Sequence, residues 1–253
     1  QPYGMIIISG PTGSGKSTTL YAALQEIMSD TINITTVEDP VEYQIPGINQ
    51  IQVHDAIGLS FASALRSILR QDPDVLLIGE IRDQETADIA VKFSMTGHLV
   101  FSTVHANDAP STISRLLDLG IPPFLLGSSL NLIMAQRLVR TIDPNEKEED
   151  NPSSDQIQRL GISSDVANQI KFFKGRPTQQ NYNTGYKGRT AIHEILEVNT
   201  SIREMIFDGK SEFDIKEQAI KNGMTPLREA GIEKIKSGVS TVEEILRATV
   251  EDN

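Results

Sequence analysis

Short apolar runs alternate with helical patterns along the first 135 residues. Four runs of apolar and β-branched residues predict buried strands, and these runs are Met5–Ser9, Asn33–Val37, Val75–Ile78 and Leu99–Val104. Apolar residues at helical spacing predict helices at Ser17–Met28, Ser60–Arg70 and Asp83–Met95, with further helical stretches from Asp108 and from Pro122. This alternation is typical of a largely parallel sheet covered by helices, so it predicts an α/β fold.

The pattern changes at Asp143, where a polar segment begins. Residues 143–155 (DPNEKEEDNPSSD) contain six acidic residues, one Lys and two prolines, and no apolar residue. Such a composition predicts a solvated loop. Beyond it, Thr190–Leu196 has the apolar content of a strand, and a small helical cluster is predicted from Asn199 onward. We therefore expect three parts, which are a core over 1–142, a polar excursion over 143–189 and a helical region over 190–253.

Composition and charge exclude several classes of protein. The apolar fraction of 38% is sufficient for a core. With 23 basic and 34 acidic residues the net charge is −11, which argues against a protein whose main partner is the nucleic-acid backbone. The chain has no cysteine, which excludes disulfides and cysteine-ligated metals. Its apolar runs are far shorter than the roughly 18 residues of a membrane span, and its first residues do not resemble a signal peptide. We expect a soluble, cytoplasmic protein.

A glycine-rich segment between the first predicted strand and helix fits the P-loop pattern G-x-x-x-x-G-K-[ST] in full. Its backbone N–H groups and the start of the helix would cradle phosphate oxygens. The candidate nucleotide-binding residues are Gly10, Pro11, Thr12, Gly13, Ser14, Gly15, Lys16, Ser17 and Thr18. Lys16 is expected to reach the β- and γ-phosphates, and the Ser17 hydroxyl to ligate Mg²⁺. The sequence therefore predicts a site for ATP and Mg²⁺.

Acidic residues follow two of the predicted strands. Glu80 comes just past the third strand, where ligands bind in open α/β sheets, so we expect it to hold Mg²⁺, partly through water. The alternative is that Glu80 only caps the following helix. Glu38, Asp39 and Glu42 follow the second strand, and three carboxylates so close together repel one another unless a cation or a proton relieves them. We favour a role in polarising water, and a solvated acidic loop is the alternative.

Two of the four histidines, His98 and His105, flank the predicted strand Leu99–Val104. A histidine at a strand end is commonly a satisfied polar residue with no part in catalysis. Their position around one strand of a nucleotide-binding sheet equally favours sensing of the γ-phosphate. Spacing alone leaves both interpretations open.

Four segments resemble, in order and spacing, the sequence boxes of the secretion ATPase superfamily. GPTGSGKS, ITTVEDPVEY, LLIGEIRD and TGHLVFSTVHAN are similar to its Walker A, Asp, Walker B and His boxes. Three later segments resemble the type II secretion and pilus-assembly branch more than the pilus-retraction branch, and these are QRLVR (136–140), GYKGRTAIHEIL (185–196) and GMTPLREAGIEKIKSGVSTVEEILRAT (223–249). The resemblance implies a RecA-like core with helices on both faces of the sheet, plus a small helical C-terminal region.

The resemblance also implies roles for the candidate residues. Glu80 matches the Walker B acid, and Glu42 matches the residue that activates the attacking water, with the two preceding carboxylates in support. His98 and His105 match the His-box positions, and His105 is the more direct link between γ-phosphate and subunit movement. By the same resemblance Lys16 and Ser17 bind phosphate and Mg²⁺.

The function implied is that of an ATP-hydrolysing motor subunit in a homo-hexameric ring. It would act at the inner-membrane face, with a platform protein and a cytoplasmic adaptor as partners, and extrude pilin-like subunits. A retraction ATPase and a type IV secretion export ATPase are alternatives within the superfamily. A nucleic-acid translocase on the same core is opposed by the acidic charge, and an ATP-binding scaffold without turnover is opposed by intact Glu42 and Glu80.

Two features depart from the family pattern. In the assembly branch a four-cysteine zinc subdomain follows the QRLVR segment, and its cysteine pairs would fall here at Asp143 and Glu146 and near Thr178–Asn181. We expect no zinc and a mobile segment over 143–182, with a Ca²⁺ or Mg²⁺ site on the acidic replacements as the less favoured alternative. The family also carries an N-terminal domain whose arginines cover the nucleotide. The chain therefore resembles a C-terminal ATPase fragment, expected to bind ATP far better than it hydrolyses it.

Overall fold

The computed structural model describes residues 3–249. Up to residue 142 the strands are β1 (Gly4–Ser9), β2 (Ile34–Glu38), β3 (Asn49–Gln52), β4 (Val75–Ile78), β5 (Leu99–Val104) and β6 (Leu130–Ile142). The helices between them are α1 (Lys16–Ile27), α2 (Phe61–Ile68), α3 (Gln84–Met95), α4 (Ala109–Asp118) and α5 (Pro123–Ser129), with a 3₁₀ turn at Asp55–Ile57. The predicted strands and helices of the core are therefore confirmed, except that the helical stretch from Pro122 ends at Ser129.

From residue 143 onward short strands and helices continue the chain. They are β7 (Lys147–Asp150), α6 (Ser154–Leu160), α7 (Ser164–Ala167), β8 (Phe172–Gly175), a 3₁₀ turn at Gln179–Asn181, β9 (Tyr186–Glu197), α8 (Thr200–Phe207), α9 (Glu212–Lys221), α10 (Leu227–Lys236) and α11 (Val242–Ala248). Within residues 3–249 no helix combines the length and the apolar character that crossing a membrane requires.

The chain forms two compact units, and each is built from two separate stretches of sequence. Unit 1 contains the chain up to residue 135 and residues 195–224, and unit 2 contains residues 136–194 and the chain from residue 225 onward. These boundaries differ from the predicted division at residues 142 and 189. The reason is that the long strands β6 and β9 each run from one unit into the other.

Unit 1 holds a parallel sheet whose strands lie in the order β3-β2-β4-β5-β1-β6. Helix α1 packs on this sheet through an apolar cluster, whose buried members are Ile8, Leu20, Leu24, Ile34, Val75, Leu77 and Phe101. Burial of these side chains is the main force that holds α1, and with it the P-loop, in place.

Two strands of the sheet are not predicted by the sequence pattern. Strand β3 contains a single apolar residue, Ile51, so its composition resembles that of a loop. Strand β6 follows α5 directly, where the pattern predicts a helical stretch. Its buried positions do not alternate strictly, so its residues lack the period of two that marks a half-buried strand.

Unit 2 contains regular structure in the excursion, so the prediction of a solvated loop over 143–155 is wrong at residues 147–150 and 154–155. Strands β7 and β8 pair antiparallel, with α6 and α7 between them. The acidic residues of β7 face basic residues on or beside β8: Lys171 Nζ lies 2.9 Å from Glu149 Oε1, and Lys174 Nζ lies 3.7 Å from Glu148 and from Asp150. Cross-strand pairs of opposite charge favour the pairing of β7 with β8, which the composition of residues 143–155 does not predict.

Hydrogen bonds join Asp143, Glu146 and the segment Thr178–Asn181, where the resemblance places the family's cysteine pairs, and Glu146 is joined through Arg176. The Asn181 amide nitrogen donates to Asp143 Oδ2 (3.4 Å) and to the carbonyl of Arg176 (2.9 Å). Its amide oxygen accepts from the backbone N–H of Thr178 (2.9 Å). The Arg176 guanidinium donates to Glu146 Oε2 at 2.6 Å. Asp143 and Asn181 are buried, so these bonds satisfy polar groups that would otherwise be costly to bury.

Candidate active site

The residues singled out by the sequence follow the carboxyl ends of adjacent parallel strands. Strand β1 is followed by the P-loop, β5 by His105, β4 by Glu80 and β2 by the loop that carries Glu42. These strands lie side by side and in parallel, so the four segments leave the same edge of the sheet. In an open α/β sheet this edge is where ligands bind.

The P-loop connects β1 to α1 and is shaped by its glycines. Gly10, Gly13 and Gly15 have φ angles of 148°, 79° and 88°, a region that glycine adopts without steric cost. Gly15 directly precedes α1, so the N–H groups of the first helical turn point toward the loop. Lys16 Nζ donates to the carbonyl oxygens of Gly10 (2.8 Å) and Pro11 (3.0 Å). The arrangement provides N–H donors and one cation for an anionic group.

The remaining candidate residues of the P-loop line the same turn. Pro11, Thr12, Gly13 and Thr18 are exposed and Ser14 is buried, while Ser17 is partly exposed in the first turn of α1. The Ser17 hydroxyl and the Glu80 carboxylate are oxygen donors of the kind that Mg²⁺ prefers. The residues present therefore fit a magnesium–nucleotide group.

Glu80 is held at this edge by two basic side chains. Its side chain is 16% exposed, with Oε2 2.7 Å from the Arg82 guanidinium and Oε1 3.2 Å from His105 Nε2. Burial by itself raises the pKa of Glu80, but the hydrogen bond and charge of Arg82, with the charges of His105 and Lys16, lower that pKa below its ordinary value. Glu80 is therefore ionised at neutral pH and suited to hold a cation or its bound water.

The position of Glu80 depends on a close approach of strands at Gly79. The Gly79 N–H donates to the Val37 carbonyl (2.7 Å), and a Cβ at Gly79 would lie 3.2 Å from the Cα of Glu38. On the other side, Thr103 Oγ1 donates to the Gly79 carbonyl (2.7 Å), and the Ile81 N–H donates to the Thr103 carbonyl (3.0 Å). The turn is thus held from both neighbouring strands, which fixes the direction in which Glu80 leaves the sheet.

Glu42 lies on the loop after β2, and its side chain is exposed. Its backbone N–H donates to the Tyr21 hydroxyl at 3.3 Å. Gln50, on β3, holds the next part of the loop: its Oε1 accepts from the Ile45 N–H (2.6 Å), and its Nε2 donates to the Tyr43 carbonyl (3.1 Å). The loop is therefore anchored through its backbone, which leaves the Glu42 carboxylate available at the surface.

The three carboxylates at the end of β2 and in the loop after it differ in their surroundings. Asp39 is exposed, as Glu42 is, whereas Glu38 is 4% exposed. Glu38 Oε2 accepts from the Tyr21 hydroxyl, and Glu38 Oε1 accepts from Thr36 Oγ1 at 2.5 Å. Sequence reasoning predicts a supporting role for Glu38 but misses Tyr21, because Tyr21 falls in the apolar stripe of α1 and its pattern is that of a core residue. The only signal is a hydroxyl in that stripe, close to the P-loop.

His98 and His105 lie at opposite ends of β5, so the structure does not bring these two histidines together. The His98 carbonyl accepts from the Gly4 N–H (3.0 Å) at the amino end of β1, and its ring stacks on Phe93 with 4.0 Å between centroids. Its Nδ1 lies 3.0 Å from Thr96 Oγ1. Six residues of strand separate the two ends by about 20 Å, so only His105 reaches the P-loop edge of this chain.

Comparisons with known proteins agree with one another. A family model described as "Type II/IV secretion system protein" matches residues 1–247. The type IV pilus assembly ATPase PilB of Myxococcus xanthus is 48% identical over 253 residues, which are 100% of this chain and 45% of PilB. The type II secretion system protein E of Aeromonas hydrophila is 48% identical over 252 residues, covering 100% of this chain and 50% of that protein. The chain thus spans about half the length of the curated relatives it matches.

Among solved structures, the pilus retraction motor PilT with bound ADP is similar to this chain. The two are 30% identical, with a TM-score of 0.74 over 99% of this chain and 62% of that chain. The predicted α/β fold with a RecA-like core is confirmed by this similarity and by the parallel sheet of unit 1.

Proposed function

The chain belongs to the type II/IV secretion system protein family, and from that membership we propose that it is the ATP-hydrolysing part of a motor subunit for type II secretion or type IV pilus assembly. The membership confirms the resemblance drawn from the four sequence boxes. Relatives named for pilus assembly and type II secretion are 47–49% identical to the chain, whereas the retraction motor PilT is 30% identical. This difference favours assembly or secretion over retraction, which is the second candidate.

The observation that carries the proposal is the meeting of the P-loop, Glu80 and His105 at one edge of the sheet. Lys16 and Glu80 are close enough for the lysine charge to lower the carboxyl pKa. A cation that faces phosphate and an ionised carboxylate beside it are what a magnesium–nucleotide site requires. A glycine-rich turn with no ligand would not need a partly buried Glu80 paired to both Arg82 and His105.

In the proposed mechanism the P-loop N–H groups bind the phosphates of ATP. Lys16 exchanges the carbonyls of Gly10 and Pro11 for the β- and γ-phosphate oxygens. Ser17 and Glu80 would hold Mg²⁺, partly through water, and the ion would supply charge neutralisation at the phosphates. Glu42 accepts the proton of the attacking water. His105, which contacts Glu80, links the γ-phosphate position to movement of the subunit.

The assembly and partners are also part of the proposal. The relatives are named as components of secretion or pilus systems, which supports a membrane machine as the setting. We place the chain in a homo-hexameric ring at the cytoplasmic face of the inner membrane, against a platform protein and a cytoplasmic adaptor. Nucleic acid is not a proposed partner, because the net charge of −11 opposes phosphate-backbone binding.

Phosphate release from ATP under single-turnover conditions, with the chain in excess, tests the proposal. We expect slow, Mg²⁺-dependent hydrolysis that EDTA abolishes and that duplex or single-stranded DNA does not stimulate. Stimulation by DNA would favour the translocase instead. Tight ATP binding with no phosphate release at any chain concentration would favour the scaffold that binds without turnover.

A further inference from the structure

The hydroxyl of Tyr21 joins three elements beneath the candidate site. Tyr21 lies on α1, five residues after Lys16, and is 1% exposed. Its hydroxyl donates to Glu38 Oε2 at the end of β2 and accepts from the backbone N–H of Glu42 (3.3 Å) and from Gln50 Nε2 on β3 (3.5 Å). A phenol has one donor and two acceptor positions, and all three are engaged here.

From this arrangement we propose that Tyr21 is a positioning residue for ATP hydrolysis, which ties the phosphate-binding helix to the loop that carries Glu42. The inference rests on the proposed function. Lys16 and Tyr21 lie on one helix, about 7.5 Å apart along its axis, so the two residues move as one rigid body. The Glu42 carboxylate is exposed, and its place is set by its backbone, which Tyr21 holds. Hydrolysis is sensitive to such placement because the base must meet the attacking water in line with the γ-phosphate.

A purely structural role for the Tyr21 hydroxyl is disfavoured by its surroundings. A phenylalanine would fill the same place in the core without burying a hydroxyl. Burial of the ring and the hydrogen bond to Glu38 both raise the pKa of Tyr21, so the hydroxyl keeps its proton and its donor role at any physiological pH. The ring itself packs edge-on against Tyr43, with 4.8 Å between centroids, and this contact does not need the hydroxyl.

Tyr21→Phe, which keeps the ring and removes the hydroxyl, tests the inference. We expect the Kd of a fluorescent ATP analogue to change by less than about twofold, and the single-turnover hydrolysis rate at saturating MgATP to fall by roughly 10- to 100-fold. Tyr43→Phe is the matched control, since Tyr43 is 52% exposed and the same atom is removed from the neighbouring tyrosine. We expect that control to hydrolyse ATP at the wild-type rate.

Amide hydrogen exchange of the loop at residues 39–48 gives a readout that does not depend on catalysis. In Tyr21→Phe we expect at least about tenfold faster exchange in this loop and unchanged exchange in β1 and β5, with no change in Tyr43→Phe. Equal loop exchange in Tyr21→Phe and wild type would overturn the inference, and so would a wild-type hydrolysis rate in that variant. A wild-type chain that releases no phosphate would overturn the proposed function instead, while the exchange measurement would still decide the role of Tyr21.

Comparing the Kd for nucleotide with the hydrolysis rate in Tyr21→Phe distinguishes a general loss of stability from a loss of positioning of the Glu42 loop. If Tyr21→Phe weakened nucleotide binding as much as it slowed hydrolysis, the hydroxyl would act on the fold as a whole and the inference would be wrong. Thr36→Val is a second variant, because it removes the other hydroxyl donor to Glu38 without touching the Glu42 loop. We expect it to slow hydrolysis less than Tyr21→Phe does, and an equal effect would assign the role to Glu38 alone.

Discussion

His105 Nε2 lies 3.2 Å from Glu80 Oε1, although the two residues follow different strands of the sheet. Glu80 therefore has a histidine on one oxygen and the Arg82 guanidinium on the other. A change in the position or charge of His105 acts directly on the carboxylate proposed to hold Mg²⁺. In the proposed mechanism, this contact would transmit the state of the nucleotide to β5 and the helix that follows it.

The contact predicts different roles for the two histidines that bracket β5. His105→Ala removes a neighbour of Glu80, so we expect ATP hydrolysis to fall by at least about tenfold, the effect of about 1.4 kcal/mol on the barrier. His98→Ala alters a residue stacked on Phe93 at the far end of the strand, and we expect little change in hydrolysis by this chain. Equal losses in both variants, measured as single-turnover rates, would contradict the assignment.

The stability of unit 2 is predicted to depend on pH through Glu244. This carboxylate is 0% exposed and accepts from Arg247 Nε (2.6 Å), from the Arg140 backbone N–H (2.7 Å) and from the Arg140 guanidinium (3.0 Å). Burial by itself raises the pKa of Glu244, but the hydrogen bonds of the two arginines outweigh it and lower the pKa to about 2 from 4.5. The lowered pKa means that the carboxylate stabilises the fold above about pH 5, and this contribution is lost as the pH falls toward 2.

Ionisation of Glu244 contributes on the order of 3 kcal/mol to stability at neutral pH, because its pKa is about 2 in the fold and 4.5 ordinarily. We expect the free energy of unfolding, from urea titrations between pH 7 and pH 3, to fall less steeply with pH in Glu244→Gln than in wild type. Glu243→Gln is the control, because Glu243 is exposed on the same helix turn. If the free energy of unfolding fell equally steeply with pH in wild type and in Glu244→Gln, the pKa of Glu244 would not be lowered in the folded protein.

The excursion is predicted to fold without zinc because the hydrogen bonds of the Asn181 side chain stabilise it. Asn181→Ala removes the links to Asp143, Arg176 and Thr178 and leaves buried polar groups unpaired, so we expect a loss of about 2 kcal/mol in unfolding free energy. Asn151→Ala, at an exposed position, is expected to cost little. EDTA should leave the melting temperature of the nucleotide-free wild type unchanged.

Amide hydrogen exchange across residues 143–155 distinguishes the paired strand seen in the structure from the mobile loop expected from the sequence. Amides of β7 that pair with β8 should exchange more slowly than those of residues 151–153, which lie in no regular element. Uniformly fast exchange over 143–155, or a large drop in melting temperature with EDTA, would contradict this account of the segment.

The core and the strand-end residues were within reach of the sequence because their signals are local. The apolar run Val75–Ile78 and the glycine-rich turn at Gly10–Ser17 each identify their own structure, and parallel neighbours then bring the strand ends to one edge. The β7–β8 pairing was not within reach, because the basic residue that pairs with Glu149 is Lys171, 22 positions later. The composition of residues 143–155 shows the acidic residues but not the basic residues, distant in sequence, that pair with them.

Two other features were hidden for related reasons. Tyr21 has the helical spacing of a core residue, and only the three-dimensional arrangement reveals that its hydroxyl meets Glu38 and Glu42. His98 and His105 are close in the sequence pattern, yet a strand of six residues carries them to opposite edges of the sheet. A motif thus predicts which residues follow a strand more securely than it predicts which of them share a site.

Nucleotide affinity is predicted to depend on Lys16. Lys16→Ala removes the point charge that faces the β- and γ-phosphates, so we expect the Kd of a fluorescent ATP analogue to rise by at least about 100-fold. Lys92→Ala removes the same charge from an exposed position on α3 and should bind as wild type does. Unchanged affinity in Lys16→Ala would mean that the P-loop does not bind the phosphates.

The most direct test of the account compares Glu42→Gln with wild type in the same single-turnover experiment, with binding and phosphate release measured on one sample. Glutamine keeps the shape of the side chain but cannot accept the proton of the attacking water, so binding should persist while hydrolysis falls by roughly 10²- to 10⁴-fold. Glu80→Gln should also slow hydrolysis and raise the Mg²⁺ concentration it requires, whereas Glu26→Gln, exposed on α1, should change neither. Phosphate release by Glu42→Gln at the wild-type rate would contradict the central claim that this loop supplies the base for ATP hydrolysis.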